Sequence, residues 1–162
     1  MLKAHASVYH LYKDNFAKLY NGKIGITLNS IFAYPTKDDA NIVDRAMQFR
    51  FGWFAHPIFS AKGGHPSIMT TTIASNSIRE GRSWSRLPAF SPSWRDRILG
   101  AADFLGLNYY TSRMVELAAK PGDPSPSFER DESINMTVKA EWKKGKSSWM
   151  YSVPEGLGNL LR

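Results

Sequence analysis

Cysteine is entirely absent from the 162 residues of this sequence. Its absence excludes disulfides, thiolate metal sites and thiol nucleophiles, although it does not fix the cellular compartment. The hydrophobic content of 43% and the charged content of 22% are ordinary for a folded soluble protein. The length suffices for one domain with a substantial core.

Long apolar runs are absent as well. No stretch reaches the roughly 18–20 apolar residues that cross a bilayer, so no membrane span is expected. The first residues, Met1–Ala6, lack the charged-then-apolar pattern of a signal peptide. Either the protein is cytosolic or the sequence begins downstream of the start of its parent, and the localisation stays open.

A concentrated basic patch is also missing. The formal net charge is +7, from 21 Lys and Arg against 14 Asp and Glu. Nucleic-acid binding needs these charges in a patch or stripe, but here they are scattered. The densest group is Lys139, Lys143, Lys144 and Lys146, in a segment typical of a solvated loop. We therefore expect no nucleic-acid partner, and interpret the charge as serving solubility.

The motifs of several chemistries are missing too. The four histidines do not form a His-Glu-x-x-His pattern, and no Gly-x-Gly-x-x-Gly, Walker-type or Gly-x-Ser-x-Gly sequence occurs. No metal site and no cofactor are therefore expected. Asn135-Met136-Thr137 fits an N-glycosylation acceptor, although such triplets are common by chance.

The residues that are present predict an alternation of helices and strands. Apolar spacing predicts a helix over residues 4–20, and alternation predicts a strand over Lys23–Asn29. Three more helices are predicted: one capped at Thr36 and ended by Pro57, one over Ile68–Glu80, and one from Ser91-Pro92 to Gly100. Gly63–Pro66 and Pro121–Pro126 are typical of turns or loops. Residues 127–150 suggest an irregular extension, and a helix after Val153 is broken by Gly158.

The central stretch of the sequence is Asp103–Ser112, Asp-Phe-Leu-Gly-Leu-Asn-Tyr-Tyr-Thr-Ser. An apolar run that ends in Asn108, Tyr109 and Tyr110 is typical of a buried strand that carries polar side chains to a binding edge. The simpler interpretation is a core strand whose polar residues satisfy a turn. With its neighbours, the stretch favours parallel strands in an α/β fold, although two strands alone do not form a stable sheet.

Several stretches resemble, in the same order, the glycoside hydrolases of family 1, the β-glucosidase and myrosinase group. The stretch Asp103–Ser112 resembles the sixth strand of that family. The other matching pieces are His5–Phe16, Gly22–Ile26, Arg45–Phe59, Ser85–Ser91, Ser148-Trp149 and Val153–Leu157 with Leu160 and Leu161. The resemblance implies a partial (β/α)8 barrel around strands five and six, with residues 1–162 as one incomplete domain.

The resemblance also defines what is missing. A retaining glycosidase needs two carboxylates about 5–5.5 Å apart. The family carries them in Asn-Glu-Pro and Glu-Asn-Gly motifs, and neither triplet occurs here. By the same resemblance, Tyr110 hydrogen-bonds the nucleophile and Asn108 lines the sugar subsite. Where the family usually has Gly-Asp-Tyr-Pro, this sequence has Gly63-Gly64-His65-Pro66.

Three interpretations remain. The leading one is a family member that acts on β-glycosides but is inactive as these 162 residues alone. The second is a non-catalytic sugar-binding or regulatory remnant that docks on a full-length relative. The third, a basic nucleic-acid-binding module, ranks last. Apolar helix faces that would meet neighbouring barrel units also favour self-association.

Overall fold

The computed structural model describes residues 1–118 and 125–162. The helices are α1 Leu2–Asn15, α2 Ala17–Tyr20, α3 Ala40–Met47, a π-helical turn Gln48–Gly52, α4 Trp53–Phe59, α5 Ser67–Arg79, α6 Pro92–Ile98, α7 Phe128–Glu132 and α8 Pro154–Leu160. The strands are β1 Ile26–Pro35, β2 Leu105–Leu117, β3 Ile134–Thr137, β4 Lys143–Lys144 and β5 Tyr151–Ser152. The predicted loop over Pro121–Pro126 lies mostly outside the described residues.

Local residue chemistry sets several of the helix ends. Asn21 adopts the left-handed conformation, with φ of 47°, and closes the first helical segment as predicted. Ser91 caps α6 by accepting a hydrogen bond from the Trp94 amide, also as predicted. The capping prediction at Thr36 is wrong, because Asp39 is the residue that accepts from the first amides of α3. The Thr36 hydroxyl instead donates to the Val115 carbonyl.

Two predicted helix ends are also wrong. Pro57 lies inside α4, which continues to Phe59. A proline cannot donate to the carbonyl four residues earlier, but the π-helical turn directly before α4 already changes the hydrogen-bonding pattern there. Gly158 lies inside α8 and does not break it.

The main sheet has the order β1–β2–β3. The first two strands pair in parallel, with Asn29 opposite Asn108, which confirms the predicted α/β pairing. β3 adds to β2 in the antiparallel sense, and β4 and β5 form a separate antiparallel pair. β3 and β4 lie in the segment for which the sequence indicated only an irregular extension. β3 supplies the third strand that a stable sheet requires.

Helices cover one face of the sheet. Ile26 and Leu28 of β1 pack into a cluster with Leu2 and Ala6 of α1 and with Ile58 of α4. A second cluster forms further along the strands, where Ala33 and Val115 meet Ile42 and Ala46 of α3. Over Ile26–Ser30 the sheet therefore has one packed face, and the other face of this part holds the polar residues described below.

Two further features complete the fold. The α8 glycine Gly156 packs directly on Ser112 and Tyr109, so a Cβ there would force a neighbouring group to shift. Among residues 1–118 and 125–162, no helix is both long enough and apolar enough to cross a membrane.

Candidate functional site

The candidate site lies on the face of the sheet that the helices leave open. Thr27 and Asn29 of β1 are exposed, while the alternating residues Ile26, Leu28 and Ser30 are buried. The register places Gly106 beside Thr27 and Asn108 beside Asn29. A larger residue at position 106 would collide with the Thr27 hydroxyl, because its Cβ would lie only 2.6 Å from that oxygen. The small residue thus keeps this polar face flat.

Both site residues predicted from the sequence belong to this open face. Asn108 is exposed, and Tyr110, two residues further along β2, is 53% exposed. Residues two apart on a strand point to the same side of a sheet. The structure therefore brings Asn108 and Tyr110 together near Asn29, which sequence analysis made the last residue of a predicted strand and which lies inside β1.

Tyr109 has a different role from its neighbours. Its hydroxyl donates to the Val153 carbonyl over 2.6 Å and pairs with the Ser112 hydroxyl over 2.7 Å. Burial raises the pKa of this phenol above its ordinary value, which keeps it protonated as a donor. Tyr109 therefore anchors the start of α8, and Tyr110 is the tyrosine left available to a ligand.

A β-bulge lies directly at Tyr110. The register passes from Ser30 opposite Tyr109 to Phe32 opposite Ser112, so that Tyr110 and Thr111 together oppose one residue of β1. Bulges of this kind redirect side chains beside active sites. Thr111 is turned into the protein, where its hydroxyl donates to the Tyr151 carbonyl over 2.9 Å and accepts from the Tyr151 amide over 3.3 Å.

The hydrogen bonds between Thr111 and Tyr151 bring to the site a residue that sequence reasoning did not identify as functional. Trp149 lies just before β5 and meets Tyr110 edge-to-face, with ring centroids 5.9 Å apart at 85°. It remains 49% exposed. Its backbone carbonyl accepts from the Arg113 guanidinium, which also lies over the Tyr151 ring. Trp149 had appeared only as part of a matching stretch, because no local pattern places it beside a strand almost forty residues earlier.

A cavity adjoins the open face at Asn29. It has a volume of about 330 Å³ and is lined by Asn29, Ser30, Ile31, Phe49, Arg50, Trp53 and Phe128. Trp53 and Phe128 are stacked, with centroids 5.8 Å apart and an interplanar angle of 11°. Aromatic rings and an amide in one cavity are groups that can hold a ligand with both apolar and polar parts.

The open face carries no carboxylate pair. Within β1 and β2 the single carboxylate is Glu116, near the far end of β2, where it lies 3.3 Å from the Thr36 hydroxyl. Among the described residues no group of three or more His, Asp or Glu side chains could hold a metal ion. The arrangement on these two strands can bind and orient a ligand but holds no acid–nucleophile pair.

Comparisons with known proteins agree with this geometry. The sequence model of Glycosyl hydrolase family 1 matches residues 1–162. The chain belongs to this family. It is 39% identical to Myrosinase 1 of Brevicoryne brassicae over 99% of its length, and 35% identical to the mouse (Mus musculus) lactase-like protein, also over 99%.

Solved structures of the family have the same fold as this chain over the part that it covers. An aphid myrosinase superimposes with a TM-score of 0.87 at 37% identity, covering 99% of this chain and 35% of that one. A family 1 β-glucosidase of Humicola insolens, solved with glucose, gives a TM-score of 0.82 at 26% identity, covering 99% and 32%. The predicted portion of a (β/α)8 barrel is thereby confirmed.

The family 1 chain is much shorter than its relatives. It spans 34% of the length of the B. brassicae myrosinase and 29% of the mouse lactase-like protein. The chain therefore represents only part of such a barrel. Residues from the remaining two thirds of the relatives have no counterpart in these 162 residues.

Proposed function

We propose that this chain supplies the fifth- and sixth-strand part of a retaining β-glycosidase site, which hydrolyses the O-glycosidic bonds of β-glucosides. The observation that carries the proposal is the position of Asn108 and Tyr110, side by side on the open face of the parallel strands. In barrels of this type, the catalytic groups cluster at the carboxyl ends of the strands.

The proposed role of Tyr110 is to position a nucleophile. A retaining mechanism needs an ionised carboxylate on one side of the scissile bond and a carboxylic acid on the other. The exposed Tyr110 hydroxyl can donate a hydrogen bond to a carboxylate, which favours the ionised form and lowers its pKa. The carboxylate itself must come from sequence beyond the two strands described above.

Asn108 and Trp149 have complementary proposed roles. The amide of Asn108 can both donate to and accept from sugar hydroxyls, and it sits beside the second amide of Asn29. Trp149 offers an exposed ring face next to Tyr110, which can stack on a sugar ring or on the leaving group. In this proposal Asn108 forms the polar floor of one sugar subsite, and Trp149 forms its aromatic wall.

The first test is an assay of the 162-residue chain with an aryl β-glucoside. We expect no turnover, because neither strand provides the two flanking carboxylates. Hydrolysis that Tyr110→Phe abolishes would show instead that this chain assembles a complete site, and would overturn the predicted inactivity.

The second test places residues 1–162 in a working barrel. The matching segment of the B. brassicae myrosinase, 39% identical, is replaced by this chain. We expect Tyr110→Phe in an active chimera to lower kcat by about 10²-fold or more, with a smaller change in KM. Tyr20→Phe, which alters an exposed tyrosine of α2, is the matched control. Equal kcat values for both variants would refute the role of Tyr110.

A sugar-binding or regulatory remnant is the alternative, and the exposed Tyr110–Trp149 pair favours it in one respect: stacking needs no carboxylate. A glucoside-dependent shift of the Trp149 indole NMR signal in the isolated chain, without turnover, would support it. Self-association stays a prediction that rests on exposed apolar residues of α1, α2 and the residue between them: Val8, Leu11, Phe16 and Leu19. That residues 1–162 form one incomplete domain also stays a prediction.

A further inference from the structure

The triplet Asn135-Met136-Thr137 has no part in the glycosidase site. Of the eight asparagines in the sequence, Asn135 is the one followed by any residue and then a hydroxyl residue. The intervening residue is Met136, so the proline that would block the motif is absent. A lone triplet of this kind occurs often by chance, and its position in the fold shows whether the finished protein could accommodate a glycan there.

The structure places the triplet on β3. Along this strand the half-buried residues Ile134 and Met136 alternate with the exposed residues Asn135 and Thr137. Ile134 and Met136 pack against the cluster around Val115, which fixes the orientation of the strand. Both residues that a glycosylating enzyme recognises therefore lie on the exposed side.

The strand also occupies the outer position of the sheet. In the order β1–β2–β3, β3 pairs with β2, and Asn135 lies opposite the exposed residue Glu116. An outer strand presents unpaired backbone groups that invite pairing with another chain. A bulky, hydrated glycan is a recognised surface modification, and at this position it would shield that edge.

We propose that Asn135 carries an N-linked glycan. In the transfer step the side-chain nitrogen of Asn135 forms a bond to the first carbon of an oligosaccharide carried on a lipid pyrophosphate. The bond from that carbon to the pyrophosphate oxygen breaks, the lipid pyrophosphate departs, and the nitrogen loses one proton. No oxidation or reduction is involved, and the Thr137 hydroxyl completes the recognition motif.

The glycan leaves the candidate site accessible. Asn135 is aligned with Glu116, which lies six residues along β2 from Tyr110. At about 3.3 Å per residue, this separation is roughly 20 Å. Glycosylation and sugar hydrolysis are thus independent, and a failure of either proposal leaves the other unaffected.

The test compares the protein isolated from its own cells with variants secreted by an animal cell line. We expect the native Asn135 peptide to carry a glycan that peptide N-glycosidase removes, leaving aspartate. We expect the secreted protein to lose one oligosaccharide mass on the same treatment. Asn135→Gln and Thr137→Ala should each abolish that loss, whereas Asn41→Gln, at an exposed asparagine outside any triplet, should keep it.

Each result decides the proposal. A native Asn135 peptide that is fully unmodified overturns it, as does a secreted protein whose mass does not change on enzyme treatment. A glycan that persists in both Asn135→Gln and Thr137→Ala would also overturn it. Transfer precedes complete folding, so loss of the glycan in two different variants cannot be attributed to the misfolding of one.

Discussion

The Arg50 guanidinium forms a bidentate ion pair with the Glu132 carboxylate: Nε lies 2.6 Å from Oε1 and Nη2 lies 2.7 Å from Oε2. The pair joins the π-helical turn to α7, and the Glu132 side chain is only 1% exposed. Burial raises the pKa of Glu132, and the hydrogen bonds from Arg50 act in the opposite direction. Arg45 strengthens the same junction by donating to the Glu132 and Asp131 carbonyls.

Removing one member of this pair should destabilise the protein. Arg50→Met leaves a buried carboxylate without its partner, and we expect it to lower the free energy of unfolding by about 3 kcal/mol. Glu129→Gln, at an exposed position of the same helix α7, should change it by less than about 0.5 kcal/mol. Urea unfolding followed by circular dichroism measures both. Equal midpoints for the two variants would show that the pair contributes nothing.

Two glycines of α8 should respond in opposite ways to alanine. Gly156 touches Tyr109 and Ser112, so Gly156→Ala should overpack this contact and cost about 1–3 kcal/mol. Gly158 has open space around its missing side chain, so Gly158→Ala should stabilise the helix by about 0.5–1 kcal/mol. Thermal melting of both variants tests the packing of α8. A Gly156→Ala protein as stable as Gly158→Ala would contradict it.

The Thr111 hydroxyl should determine where Trp149 lies. Thr111→Val keeps the side-chain shape but removes both hydrogen bonds to Tyr151, at a cost of about 1–3 kcal/mol. We expect the nuclear Overhauser contact between Trp149 and Tyr110 to weaken or vanish. Ser148→Ala, which changes an exposed neighbour, is the control and should preserve that contact. A full contact in Thr111→Val would mean that Trp149 is held by other groups.

His65 should make the protein less stable in mild acid. Its ring lies 4.7 Å from that of Phe90, and within the described residues its buried Nδ1 has no hydrogen-bond partner. Burial, aided by His56, lowers the pKa of His65, while backbone groups of Trp53 and Pro88 partly oppose this. The Arg95 side chain, packed near Gly64, adds positive charge to the surroundings.

The direction of this pH effect follows from proton binding. Below about pH 6.5 the histidine of the unfolded protein binds a proton, whereas the same histidine in the folded protein does not. The free energy of unfolding therefore decreases as the pH is lowered, until the pKa of the folded state is reached. We expect His65→Phe to remove this part of the decline in melting temperature between pH 7.5 and 5, and His10→Gln to retain it. Parallel declines in the wild type and His65→Phe would refute the assignment.

Much of the site could be predicted because its signals are local. The polar tip of Asp103–Ser112 indicated a strand that carries Asn108 and Tyr110 to an edge. β2 does carry both residues, but it runs from Leu105 to Leu117, so they lie within the strand and not at its end. Trp149 could not be found in this way, since its place depends on the long-range contact between Thr111 and Tyr151. Their identities as functional residues stay predictions until the chimera is assayed.

The errors in the fold share one physical cause: a residue's usual tendency was overruled by its neighbours. Pro57 normally ends a helix, but the preceding π-helical turn changes the hydrogen bonds around it. Thr36 has a hydroxyl that could cap a helix, but it donates its hydrogen bond to the Val115 carbonyl on the adjacent strand. β3 lacks a strong strand pattern, and its pairing with β2 provides the order that four residues alone would not.

The bulge at Tyr110 and Thr111 separates two parts of the β1–β2 pair that make different contacts. Before it, β1 alternates with its even-numbered residues Ile26, Leu28 and Ser30 inside, and beyond it the odd-numbered Ala33 is inside. The extra residue belongs to β2, so deleting it would shift the alternation of β2 by one residue and turn Val115 and Glu116 to the wrong sides. Substitutions that reshape the half with Asn108 and Tyr110 can therefore accumulate without disturbing the half that packs on α3, provided that the chain length at this point is kept.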